Sequence, residues 1–115
     1  MSSVKQTSHA PSRARSMLPL LAAISRELEE RGAALVEIDA RLQALRAQPN
    51  KDGRLLRALV AEAANHRRAI RLGHAELERL GCSVVGTNPL TIRIPTQEGL
   101  RRRSLVWQAP QAGAD

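Results

Sequence analysis

His66 is, by type and neighbours, the residue of this chain best placed to do chemistry. Glu62 lies one helical turn before it, and Arg67 and Arg68 follow directly. An imidazole beside a carboxylate serves as a pH-sensitive element or a metal ligand. A di-metal helical centre, however, needs carboxylates from several helices and a repeated Glu-x-x-His, which is absent. The simpler expectation is a polar residue inside a helix–helix seam, fixing register as a lone asparagine does in coiled coils. Arg31 is the second polar residue at a seam position. Buried alone it would be costly, so it must extend its stem to reach Glu27 or meet an acidic group on a second chain.

Two arginine clusters are candidates for anion binding. Arg67, Arg68 and Arg71 project from one sector of a helix, and Arg101, Arg102 and Arg103 form a run near the C-terminus. Both suit phosphates, yet no recognition helix, aromatic stacking platform or zinc module accompanies them, so any nucleic-acid binding is expected to be weak and indifferent to sequence. Cys82 is the only cysteine, which rules out an intrachain disulfide and a thiolate metal site built from one chain. It follows a helix C-terminus, where the dipole disfavours a thiolate. No nucleophile–base pair and no glycine-rich phosphate cradle is visible. The segment Val36-Glu37-Ile38-Asp39-Ala40-Arg41-Leu42 is faintly similar to the first helix of helical chorismate mutases, but the third helix and the Arg, Lys and Glu set of those enzymes cannot be placed. Neither an enzyme nor a cofactor is expected.

Those residues sit on two stretches of heptad-spaced apolar side chains. Met17, Leu21, Ile24, Leu28, Leu35, Ile38, Leu42 and Leu45 form the first, with Arg31 in the same series. Leu56, Leu59, Ala63, His66, Ile70, Gly73, Leu77 and Leu80 form the second. Between them Gln48-Pro49-Asn50-Lys51-Asp52-Gly53 breaks helices and favours a turn, so the spacing predicts an antiparallel, coiled-coil-like helical hairpin. Folding about that turn sets Ile38 against Ala63, Leu28 against Gly73, Leu42 against Leu59 and Leu45 against Leu56. Large against small lets backbones approach. Ser16 is expected to cap the first helix, Asp52 the second, and Gly81 to end the second in the left-handed conformation. Pro19 falls in the first turn, where a missing N–H costs nothing.

After Gly81 the period changes to two. Leu90, Ile92 and Ile94 alternate with polar residues, as do Leu105 and Trp107, which predicts a small C-terminal β-hairpin joined through a basic turn at 96–103. A third strand at 83–85 would complete it. Such a ribbon must dock on something, and Leu18 and Leu20 offer the place. Residues 1–13 and 108–115 bury little and are expected to be disordered tails around a single domain at 14–107.

Composition bounds the rest. The chain has 115 residues, no Phe or Tyr and one Trp, so its core must come from aliphatic side chains. The net charge of +7 is uneven: the first sixteen residues carry +3, residues 17–47 carry −1, 48–80 carry +3 and 81–115 carry +2. Such a surface attracts polyanions, although an arginine-rich composition produces it without any function. The run from Met17 to Ile24 is far shorter than the roughly 20 residues of a membrane span, and Ser25-Arg26-Glu27-Leu28-Glu29-Glu30 continues the heptad where a signal peptide would be cleaved. A cytoplasmic protein is expected.

The chain resembles the small bacterial family catalogued as domain of unknown function 2203. The resemblance lies in Met17-Leu18-Pro19, Asn65-His66-Arg67-Arg68, Glu76-Leu77-Glu78-Arg79-Leu80-Gly81-Cys82, Asn88-Pro89-Leu90, Ile92-Arg93-Ile94-Pro95, Gly99 and Trp107. It implies a helical hairpin followed by a small β element, with no activity attached. Leucine at every a position of the first helix, with isoleucine at two d positions, favours more than two packed helices. The expected function is therefore a non-catalytic oligomerisation or protein-interaction module, with a homodimer as the assembly and Leu28, Arg31, Leu35, His66 and Ile70 at its seam.

Overall fold

Helix over the two heptad stretches accounts for most of the chain. The structure is a computed structural model, and it describes residues 8–50, 52–87 and 89–110. In order come α1 Pro11–Ser16, α2 Leu18–Arg46, α3 Gly53–Arg79, β1 Ser83–Thr87, β2 Leu90–Glu98 and β3 Arg101–Gln108. The fold is thus mainly α, with a long helical pair and a C-terminal three-stranded antiparallel sheet of order β1-β2-β3. The chain divides into two compact units: Glu27–Gly73, and the described residues before and after it.

In Glu27–Gly73, Asp52 begins α3 by accepting the backbone N–H groups of Arg54 and Leu55 on Oδ1, both at 3.1 Å. That satisfies two donors that a helix start otherwise leaves free. Ile38, Leu42 and Leu45 of α2 form a buried cluster with Leu59 and Ala63 of α3, and Leu35 and Leu56 pack half-buried against it. At Gly73 an added Cβ would stand 2.6 Å from Cδ2 of Leu28, so these two residues meet closely.

The other unit is built around β2. Leu90, Ile92, Ile94 and Thr96 face inward and are buried, while the residues between them are exposed or half-buried. Leu21 and Leu77 are fully enclosed, as is Ser25, whose Oγ has no hydrogen-bond partner among the described residues. α3 ends in a Schellman motif: Gly81, at φ 76°, donates its N–H to the Glu78 carbonyl and Cys82 donates to that of Leu77, both at 2.9 Å.

Several sequence-based expectations need correction. Residues 8–13 are structured: α1 starts at Pro11, whose ring suits the first helical position, and Ala14 is fully buried. The His9 N–H donates to the Pro95 carbonyl at 3.1 Å, the Gln97 N–H donates to the His9 carbonyl at 2.9 Å, and His9 Nε2 donates to the Leu80 carbonyl at 2.8 Å. A strand residue's N–H and C=O point to the same edge, so the N–H that Pro95 lacks would have faced His9, and β3 loses no hydrogen bond. Ser16 caps nothing; its Oγ donates to the Arg13 carbonyl at 2.7 Å, and the chain passes from α1 to α2 through Met17 alone. Of the two residues expected to offer a docking place, Leu18 is half-buried and Leu20 is 45 % exposed.

The sheet has a third strand, β1, running to Thr87, beyond the 83–85 expected from sequence. Arg101–Arg103 lie in β3 and not in a turn. Glu98 pairs with Arg101, leaving only Gly99 and Leu100 to reverse the chain, and Gly99 takes φ 60° at the first of those two positions, where a type II′ turn needs glycine. At the C-terminus, Gln108 belongs to β3 and Ala109 is buried, its N–H donating to the Leu90 carbonyl at 2.8 Å. Residues 1–7 and 111–115, the remainder of both expected tails, lie outside the described residues.

Candidate functional site

The helical pair in Glu27–Gly73 carries a polar layer between its apolar layers. Arg31 Nε donates to Glu27 Oε1 at 2.8 Å, and Arg31 Nη1 donates to His66 Nδ1 at 3.2 Å. A guanidinium only donates, so Nδ1 is the acceptor and a neutral His66 carries its proton on Nε2. That nitrogen lies 4.0 Å from Glu62 Oε1, too far for a hydrogen bond. The His66 side chain is only 15 % exposed, whereas Glu27 and Glu62 are half in solvent. Arg31 therefore reaches Glu27 as the stem length allows, and it brings His66 into the same layer.

The other seam residues are apolar. Leu28 is buried, while Leu35 and Ile70 are half-buried. Of the helical arginines, Arg67 donates from Nη2 to Asp39 Oδ1 at 3.2 Å, and Arg68 and Arg71 stand exposed with no ion pair among the described residues. The link between Arg67 and Asp39 was not anticipated; both occupy e positions of their heptads, which flank each other in an antiparallel seam, and that is the signal that finds it. Next to it lies an open groove of about 650 Å³ bordered by Val36, Asp39, Ala40, Gln43, Arg46 and Arg67. It holds neither a nucleophile nor an imidazole.

The second arginine cluster belongs to the sheet unit. Arg101, Arg102 and Arg103 are all exposed, and strand alternation puts Arg101 and Arg103 on one face and Arg102 on the other. Charge is sorted between the units: the described residues of the sheet unit hold eight arginines against three glutamates, those of Glu27–Gly73 eight arginines against seven acids.

Among the described residues no three His, Cys, Asp or Glu side chains gather as a metal site would require. Burial pushes the Cys82 thiol above its ordinary range. The folded chain thus keeps this thiol neutral at pH values where the unfolded chain ionises it. Its contribution to stability is complete below the ordinary value of 9.0 and is lost as pH rises past it towards the folded-state value. Alkylation by iodoacetamide at pH 8 is expected to be at least about tenfold slower for folded than for urea-unfolded protein; equal rates would show the thiol to be accessible.

No helix among the described residues is long and apolar enough to cross a membrane. No curated protein and no solved structure matches the chain. A family profile described as an uncharacterized conserved protein (DUF2203) matches residues 9–112, which takes in both helices of the polar layer and all three strands. The chain belongs to that family.

Proposed function

We propose that this protein is a non-catalytic, cytoplasmic association module, in which α2 and α3 form an antiparallel coiled-coil hairpin that pairs with a second copy. What supports the reading best is the apolar surface of the helical pair: Val36 is 72 % exposed and Leu72 60 %, with Val60 at 45 % and Leu55 at 40 %. Two packed helices bury one stripe each, and a four-helix bundle is the ordinary way to cover the rest. Covering a Val or Leu fully is worth about 1.5–3 kcal/mol, enough for a few such side chains per copy to offset part of the cost of association. The Arg31–His66 layer then serves to fix register and not to react. Self-association makes stability depend on concentration. The urea midpoint is expected to rise as protein concentration is raised about a hundredfold, by about 2–3 kcal/mol of apparent stability if the dimer dissociates on unfolding; a midpoint that does not move would sink the reading.

The sorting of charge favours a second reading, in which the sheet unit holds polyanions through Arg101, Arg102 and Arg103. Binding of this kind releases counterions and ignores base sequence. Retention on heparin and on random duplex DNA alike, lost between about 50 and 200 mM salt, is the expected behaviour. Passage through both at low salt removes this reading.

A further inference from the structure

We infer that the free edge of β3 takes an added strand, an acidic extended segment of another protein running antiparallel to β3. This goes beyond the second reading above, from which it takes only the charged end of the site. β3 is the last strand of the sheet, and β2 is its only ladder partner. The Ala109 N–H donates to the Leu90 carbonyl, and in an antiparallel ladder hydrogen bonds are exchanged at every second pair from there: Ile92 with Trp107, Ile94 with Leu105, Thr96 with Arg103 and Glu98 with Arg101. Pro95, which has no N–H to give, falls at a pair that exchanges none. The N–H and C=O groups of Arg102, Ser104, Val106 and Gln108 therefore point away from β2, and they have no backbone partner among the described residues.

Edge strands are ordinarily protected against further pairing, often by charged side chains. β3 is protected at one end only. Arg101, Arg102 and Arg103 are exposed, whereas Ser104 to Gln108 carry no charge, with Val106 exposed and Leu105 and Trp107 half-buried. An uncharged, partly apolar edge of this kind is a template for another strand.

Charge selects the occupant. None of the three arginines makes an ion pair among the described residues, although Glu98 stands opposite Arg101 across the ladder. A second β3 would bring three more arginines and no acid. Residues 1–7 contain a lysine and no acid, and residues 111–115 a single aspartate. A strand with carboxylates at one end and β-branched side chains at the other fits both halves of β3. Its antiparallel direction follows the two ladders already in the sheet and is slightly the more stable per residue. Nucleic acid would match the arginines but leave the edge groups without strand partners.

A blocked eight-residue peptide tests this, its binding to the full chain followed by the anisotropy of an attached fluorophore. Threonine and valine alternate over its first five positions and glutamate fills the last three. In the antiparallel register, position three then lies opposite Val106, position five opposite Ser104, and the glutamates opposite the arginines. Saturable binding with a Kd of about 1 mM or tighter is expected. N-methylation at positions three and five, whose N–H groups face β3, should weaken it at least about tenfold, whereas N-methylation at two and four, whose N–H groups face away, should leave it within about threefold. The reversed sequence, and Arg102→Glu in the protein, should each weaken binding at least about tenfold. If the two methylation patterns act alike, or the reversed peptide binds as well, strand pairing is overturned while the polyanion reading stands. An affinity unchanged by Arg102→Glu overturns the charged contact. Retention on heparin without saturable peptide binding overturns the added strand alone, and failure of both removes both.

Discussion

Alanine in place of Ile94 should lower the free energy of unfolding by about 2–5 kcal/mol, read as a displaced urea midpoint. Ile94 is fully enclosed in the middle of β2, with Leu105 directly across the ladder on β3. Truncation removes three carbons, and a strand held on both edges cannot move inward to fill the space. Val106→Ala is the matched control. That side chain is 57 % exposed, and its cross-strand partner is Arg93, on the opposite face; a change of about 0.5 kcal/mol or less is expected. Equal costs at the two positions would mean that the inward face of the sheet has been wrongly assigned.

Leucine at Gly73 is the second large effect, and its sign is informative. Helix propensity alone favours Leu over Gly by roughly 1 kcal/mol. Against that stands Leu28, with Cδ2 at 2.6 Å and Cγ at 3.2 Å from the position of a new Cβ. The first is the end of a flexible side chain and can turn aside for a methyl group, but the rest of a leucine needs the volume that the Leu28 side chain fills. A net loss of about 1–3 kcal/mol is expected. Adding Leu28→Ala to the same chain should return part of it, with a coupling energy of about 0.5–3 kcal/mol between the two sites. Additive losses would place Leu28 and Gly73 out of contact.

Legibility in the sequence depends on which forces are local. The heptads of α2 and α3, the Asp52 cap and the Gly81 stop depend on a few neighbouring residues, so spacing and residue type are sufficient to find them. The pairing of Leu28 with Gly73 comes from counting outward from the turn. His9 and α1 are hidden because their order comes from distant partners: a bridge to Pro95 and Gln97, a carbonyl at Leu80, and a burial site for Ala14. Ser25 is hidden because a serine at an e position reads as solvent-facing, although the folded chain buries it. The arginine run reads as a loop because charge outweighs everything else in the pattern, although Gly99 already marks a tight turn that puts Arg101 opposite Glu98. Of the site, the link from Arg31 to Glu27 and the closeness of His66 to Glu62 are legible as one-turn neighbours on single helices. Contact between Arg31 and His66 needs the second helix in place.

Sedimentation equilibrium of the unmodified chain, from about 1 to 100 µM, bears on self-association without any substitution to interpret. A mass tending to twice 12.6 kDa at the upper end, falling towards 12.6 kDa on dilution, is the expected outcome. A single species of 12.6 kDa over the whole range would contradict it.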